Sequence, residues 1–178
     1  MASFEPRLSF GIVSSRGFFE KLLTEYQFFD RDHVSPIHAI NCALTSWHMT
    51  DWTFNEFVSP QGLFNDIEKE KMKDGRVFVF NISALRQYQD FVIKECPELR
   101  YMSLIANGSK HCVLRNSTVV GKTVKYDGDF AYQDFSRHDF DVDRLEIENS
   151  DGTKSDFEQL LLKTIEYWRQ KLEDFESI

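Results

Sequence analysis

Between Ser35 and Gly62 the chain carries one long helical pattern, and that pattern restricts the fold more than any other feature. Ser35 suits the N-cap, where its hydroxyl can accept from a free backbone N–H, and Pro36 suits the first helical position, where no N–H is needed. Ile37, Ile40, Leu44, Trp47, Phe54 and Val58 then recur along one side, the mark of an amphipathic helix. Ser59-Pro60-Gln61-Gly62 ends the run. A helix this long with an apolar stripe has to bury that stripe against other elements, so the pattern predicts a helix bundle.

Other segments supply the partners. A helix starts at Ser14-Ser15, places Phe18, Phe19, Leu22, Leu23, Tyr26 and Phe29 at spacings of three and four, and ends near Arg31-Asp32-His33. A third long helix covers Ser83 to Glu95, with Leu85, Tyr88, Phe91 and Val92 inward. A fourth follows Pro97, from Glu98 to about Val113, with Leu99, Met102, Ala106 and Val113 on its apolar side. Leu63 to Lys73 reads as a short charged helix. Asp74-Gly75 is a turn, and Arg76 to Phe80 fits either a strand or an apolar lead into the next helix.

After Arg115 the texture changes. Val119-Val120, Thr123-Val124, Phe130 to Tyr132 and Leu145 to Glu148 read as short strands, with turns at Gly121, Asp127-Gly128 and Asp151-Gly152. Ser155 and Glu158 have capping-box spacing and open a last helix through Phe157, Leu160, Leu161, Ile165, Trp168, Leu172 and Phe175. The expected class is α+β, mainly α: four to five helices with a small antiparallel β-sheet inserted before the C-terminal helix and confined to about residues 115–150. The chain reads as a single domain over 1–178, with a helical part at 14–115, a β part at 116–153 and a helix at 155–176 that returns to the bundle.

Composition narrows the function classes. Seventeen phenylalanines, three tryptophans and six tyrosines in 178 residues supply ample core, and no apolar run approaches the roughly 20 residues of a membrane-spanning helix. The net charge of -8 is uneven: residues 127–178 hold 15 acidic and 6 basic residues, and residues 1–126 hold 14 and 15. An acidic chain is ill suited to bulk phosphate-backbone binding, although the near-neutral first part leaves room for a local basic face. The acidic part aids solubility or meets a basic partner. Cys42, Cys96 and Cys112 are odd in number and form no CxxC, and the start lacks an apolar signal region. Those features predict reduced thiols in a cytoplasm, with no sulfur-based zinc site and no cofactor. A protein partner, a local nucleic-acid contact and a homodimer all stay open.

Two polar clusters stand out. In helix two, Asp51 falls within the apolar stripe, with Asn41 and His48 on its border. A carboxylate aimed at a core is costly unless paired. In helix four, Asn107 and His111 are four apart, with Arg100 on the same face and Lys110 beside it. Three readings compete for these residues: a structural polar contact at a helix crossing, an exposed polar face, or a ligand or catalytic site. If helices two and four pack antiparallel as neighbours, Asn41, His48 and Asp51 meet Asn107, Lys110 and His111 in one layer. Asp51→Ala is then expected to destabilise far more than Asp143→Ala, and to couple with His111. His48, Asp51 and His111 would also make a 2-His-1-carboxylate metal set, the basis of an alternative reading as a metal-dependent helical-bundle enzyme. The chain has no P-loop, dinucleotide fingerprint, Gly-x-Ser-x-Gly elbow or His-Glu-x-x-His. Ser136-Arg137-His138-Asp139 and the run Asp139, Asp141, Asp143 read as solvated loop.

The Asn107-x-x-Lys110-His111 run, late in a long helix, resembles the second conserved helix of HEPN-type helical bundles, over about residues 14–115. That superfamily includes ribonucleases of toxin and phage-defence systems as well as non-catalytic members. Its nuclease motif is an Arg, four to six residues, then a His. Here Ala106 stands where the Arg would precede Asn107, and ten residues separate Arg100 from His111. The resemblance therefore implies a binding or interaction protein of bacterial or phage, mobile-element or defence context, without nuclease activity. Trp47-His48-x-x-Asp51-Trp52 together with Asn107 to His111 also resembles bacterial and phage families of unassigned function. Asn-x-x-Lys-His is similar to the N-box of histidine-kinase ATPase domains, whose glycine-rich boxes are missing here. DinB-like metal bundles carry a His-x-x-x-His that this chain lacks.

Overall fold

The computed structural model describes residues 6, 9–111, 120–128 and 143–177. Ser14 and Ser35 each accept a hydrogen bond from a first-turn N–H, of Gly17 and His38 respectively, and so start α1 (Ser15–Arg31) and α2 (Pro36–Thr53). The two run antiparallel. Phe18 stacks on Trp52 at 4.6 Å and Phe28 on His38 at 5.9 Å, and Lys21 Nζ donates to Thr45 Oγ1 between them. The C-terminal helix α5 (Phe157–Glu176) runs parallel to α2. There the Ser46 hydroxyl donates to Thr164 Oγ1 at 2.9 Å, and the Trp168 indole donates to the Ser46 carbonyl at 3.0 Å.

These neighbours make α2 the central helix. Ala39, Cys42, Ala43, Ser46, Met49, Thr50 and Thr53 are buried. The small side chains among them let neighbouring helices approach closely. The face expected from Ile37, Ile40 and Leu44 is not the deepest one: Ile37 is 69% exposed, and the other two are half-buried. Past Thr53 the helix widens into a π-turn (Phe54–Val58) and tightens into a 3₁₀ turn (Ser59–Gln61), which Gly62 ends at φ +65°. Glu56 in the π-turn accepts from the Ser15 N–H at 2.5 Å, placing negative charge at the start of α1.

The expected charged helix over 63–73 is instead a strand. β1 (Ile67–Lys73) and β2 (Arg76–Ile82) form an antiparallel hairpin, so β structure is not confined to residues 115–150. Asp74 and Gly75, at φ 52° and 72°, have the positive angles of a two-residue type I′ turn, whose twist suits a hairpin. Cross-strand pairing with the β-branched and aromatic run Val77 to Phe80 outweighs the helix propensity of the Glu and Lys residues. Next comes α3 (Ala84–Glu95), capped by Ser83. The Asp66 carboxylate accepts from the Ala84 N–H, Gln87 donates to the Asn65 carbonyl, and Phe64 packs on Tyr88 and Phe91, so the hairpin is pinned at its base.

α4 (Leu99–His111) returns antiparallel to α2, with Leu99, Met102 and Ala106 buried as expected. Val113, Cys112, Val119, Phe130 to Tyr132 and Ser136 to Asp141 lie outside the described residues. The second sheet has the order β3 (Val120–Tyr126), β4 (Arg144–Asn149), β5 (Lys154–Asp156), all antiparallel. A bulge falls at Gly121, where a Cβ would sit 3.3 Å from the Glu148 carbonyl oxygen. Ile147 enters the core from β4. The cap of α5 is Asp156, which accepts from the Gln159 N–H, and Ser155 belongs to β5. Glu158, freed from the expected capping box, accepts from the Tyr26 hydroxyl and ties α5 to α1. Among the described residues no helix is long and apolar enough to cross a membrane.

Candidate functional site

Axial register decides whether the two polar clusters meet. At one level of the bundle Ser46 of α2 bonds Thr164 of α5, and Lys163 beside it pairs with Glu98 at the head of α4 at 3.0 Å. At the other end Ile105 of α4 lines one cavity with Pro36, Ala39 and Ile40 of α2. The helices are therefore antiparallel neighbours, but the tail of α4 lies beside the head of α2. His48 and Asp51 sit more than two turns along α2 from that level, and His111 lies beyond it. At about 1.5 Å per residue, roughly 20–30 Å along the bundle separates Asp51 from Asn107, Lys110 and His111.

The sequence thus places each cluster on its helix correctly but does not bring the two together. His48, Asn107, Lys110 and His111 are exposed, and Asn41 and Asp51 are half-buried. Asn107 Nδ2 donates to Ser103 Oγ at 3.4 Å within its own helix. Asp51 accepts from the Thr50 hydroxyl at 3.3 Å, and its backbone carbonyl accepts from Asn55. Burial raises the Asp51 carboxyl above its usual range, while the His48 charge and the Thr50 hydroxyl pull the other way. Among the described residues no group of three or more His, Cys, Asp or Glu converges as a metal site, so the set His48, Asp51, His111 is not assembled.

Two features the sequence did not single out are more developed. The first is a cavity of about 250 Å³ where the head of α2 and the tail of α4 meet β3 and β4. Its walls are mostly apolar, with Val34, Ile105, Leu145, Ile147 and Phe157 among them, and Glu146, between Leu145 and Ile147 on β4, is also among its lining residues. Glu146 is 4% exposed, and pairs with Arg144 at 2.9 Å and Lys154 at 3.0 Å. Burial pushes its carboxyl up, but hydrogen bonds and charge from Lys154 and Arg144 outweigh that and hold it below the usual range. A carboxylate so neutralised stays ionised and makes a poor general acid.

The second is the β1–β2 hairpin. Every residue of β1, and all of β2 except Ile82, is exposed. Met72 at 75%, Val79 at 59%, Val77 at 54% and Phe78 at 51% are large apolar residues left outside the core. The signal was in the sequence: Asp74-Gly75 is a favoured hairpin-turn dipeptide, and the β-branched and aromatic run Val77 to Phe80 follows it.

No protein-family model matches the chain, and no curated protein or solved structure is significantly similar to it.

Proposed function

We propose that this chain is a non-nucleolytic binding protein whose working element is the β1–β2 hairpin, an arm anchored on α3. One observation carries the reading: a paired two-stranded ribbon leaves its large apolar side chains in solvent while the helices beneath it are closely packed. Isolated two-stranded hairpins are marginal in water, and contiguous exposed apolar surface marks interaction sites. The HEPN-like character of residues 14–115, a cytoplasmic location and a phage, mobile-element or defence setting belong to the same proposal. They rest on the Asn107 to His111 resemblance and on the odd cysteine count. Absence of RNA cleavage follows from the missing Arg–His spacing.

The test compares the full chain with a variant in which residues 68–81 are replaced by a short Gly-Asn-Gly link. Both are tagged in cells that make the protein, cross-linked, and analysed for bound protein and nucleic acid. The variant should keep its helical circular dichroism and lose the bound molecule. Equal capture by both forms, or RNA hydrolysis abolished by His111→Ala, overturns the reading.

A further inference from the structure

We propose that one face of the hairpin, built from Lys69, Lys71, Phe78 and Phe80 with Lys73 and Arg76 at its tip, binds single-stranded nucleic acid. The proposal rests on the reading of the hairpin as the binding arm and adds the chemistry of what it binds. The cross-strand register sorts the side chains. Lys69 faces Phe80, Lys71 faces Phe78 and Lys73 faces Arg76, so these six share one side. The alternate pairs, Glu68 with Asn81, Glu70 with Val79 and Met72 with Val77, occupy the other. One face is thus basic and aromatic without an acidic residue, and the opposite face is acidic and aliphatic.

Those four cations are also free. Most described Lys and Arg residues are in ion pairs, as with Lys163 and Glu98 or Lys171 and Glu95. No ion pair of Lys69, Lys71, Lys73 or Arg76 occurs among the described residues. Residues 67–82 set these four cations against Glu68 and Glu70, which the register puts on the reverse face, and Asp74 in the turn. On a chain of net charge -8 the ribbon thus gathers its positive charge on one side, beside two exposed rings, Phe78 at 51% and Phe80 at 43%.

Charge complementarity selects a polyanion, and the rings select one with exposed flat faces. Unpaired bases stack on aromatic side chains while neighbouring lysines hold phosphates; a duplex keeps its base faces hidden. Phe78 and Phe80, two residues apart, stand about 6.7 Å from each other along the strand, with lysines directly across the ribbon. Glu68 and Glu70 repel phosphate from the reverse side.

The experiment is fluorescence anisotropy of the full chain with a labelled 12-nucleotide oligo-U, the matching oligo-dT and a 12-base-pair duplex. Both single strands should bind more tightly than the duplex. Four phosphate contacts imply that log K falls with log salt at a slope of about -2 to -3. Lys69→Glu with Lys71→Glu, and separately Phe78→Ala with Phe80→Ala, should each weaken binding at least tenfold. Lys94→Gln on α3, exposed and outside the arm, should leave it unchanged. All these positions are exposed, so an unaltered melting temperature shows that the bundle is intact. No binding at 50 mM salt, a duplex preference, or indifference to both double variants overturns the proposal. If the arm-deleted chain loses a protein partner while the full chain ignores oligonucleotides, the arm reading survives and the nucleic-acid assignment falls. If the arm-deleted chain still binds the oligonucleotides, the arm reading itself falls.

Discussion

Trp168 donates its indole N–H to the backbone carbonyl of Ser46 at 3.0 Å, across the interface between α5 and α2. A carbonyl inside a helix already accepts one bond, and its second lone pair takes the indole. One turn earlier on α5 the Thr164 hydroxyl meets the Ser46 hydroxyl at 2.9 Å, and Thr164 donates onward to the Leu161 carbonyl. Ser46, Thr164 and Trp168 are all fully buried. The cluster locks the axial register that keeps the head of α2 beside the start of α5.

Removing the indole N–H while keeping an aromatic ring should therefore cost more than lost area alone. Trp168→Phe is expected to destabilise by about 1–3 kcal/mol, and Trp168→Ala by about 3–5 kcal/mol. In a double-mutant cycle, Ser46→Ala and Thr164→Val should show a coupling of about 0.5–1.5 kcal/mol. Urea unfolding followed by tryptophan-free far-ultraviolet dichroism measures both. Additive effects would mean that the hydroxyl pair contributes nothing beyond packing.

Glu146 makes stability depend on acid pH. Its folded carboxyl lies below the usual range because the hydrogen bonds and charge of Lys154 and Arg144 overcome the opposing effect of burial. A lowered folded value contributes stability that is present above the ordinary carboxylate value and is lost as pH falls through the folded one. Glu146→Gln should be less stable than the parent by about 1–3 kcal/mol at pH 7. The gap should close as pH drops below about 4. A gap that widens on acidification contradicts the ion-pair account.

The two described cysteines should be inert. Burial pushes the Cys42 thiol up to about 12, with the Glu25 charge adding to it, and burial with the Glu98 charge pushes Cys96 up to about 11. Both side chains are buried, so thiolate and access are missing together. Iodoacetamide at pH 8, mapped by mass spectrometry, should leave both unmodified in the native chain and label both in guanidinium. Rapid native labelling of Cys42 would show that α2 opens locally.

Helix limits were legible because they are set by local chemistry. Ser14, Ser35 and Ser83 each cap the helix that their position predicts. The hairpin was obscured because Glu68, Lys69, Glu70 and Lys71 also suit an exposed helix, and only their cross-strand partners decide between the two. Helical arithmetic correctly put Asn107 and His111 on one face of α4. What it lacked was the axial register between helices, fixed by contacts such as Ser46 with Thr164 and Lys163 with Glu98. The deeper face of α2 was foreshadowed by its small residues, Ala39, Cys42, Ala43 and Ser46, which a reading based on large apolar side chains passes over.

Asp51 gives the sharpest test of that register. Within one polar layer it would need His111 or Lys110, and its loss would be costly. Among the described residues its carboxylate accepts from the Thr50 hydroxyl, with no bond from His111 or Lys110, and burial raises its carboxyl above the usual range against the pull of His48 and Thr50. A raised folded value means that the ionised form is disfavoured by folding, so stability rises as pH falls through that value. Asp51→Asn should then be as stable as the parent at pH 7 or more so, by less than about 1 kcal/mol, and any advantage should shrink at acid pH. Asp143, the loop residue expected to be neutral, pairs with Lys125 at 3.5 Å and accepts from the Gly128 N–H at 2.9 Å. Asp143→Ala should therefore cost about 1 kcal/mol, more than Asp51→Asn. Asp51→Asn and His111→Ala should add within about 0.5 kcal/mol, as distant sites do. Thermal melts of the three single variants and the double, at pH 7 and pH 4, measure all of this. Strong coupling between Asp51 and His111 would place the tail of α4 beside the tail of α2, contrary to the register that Ile105 and Pro36 define.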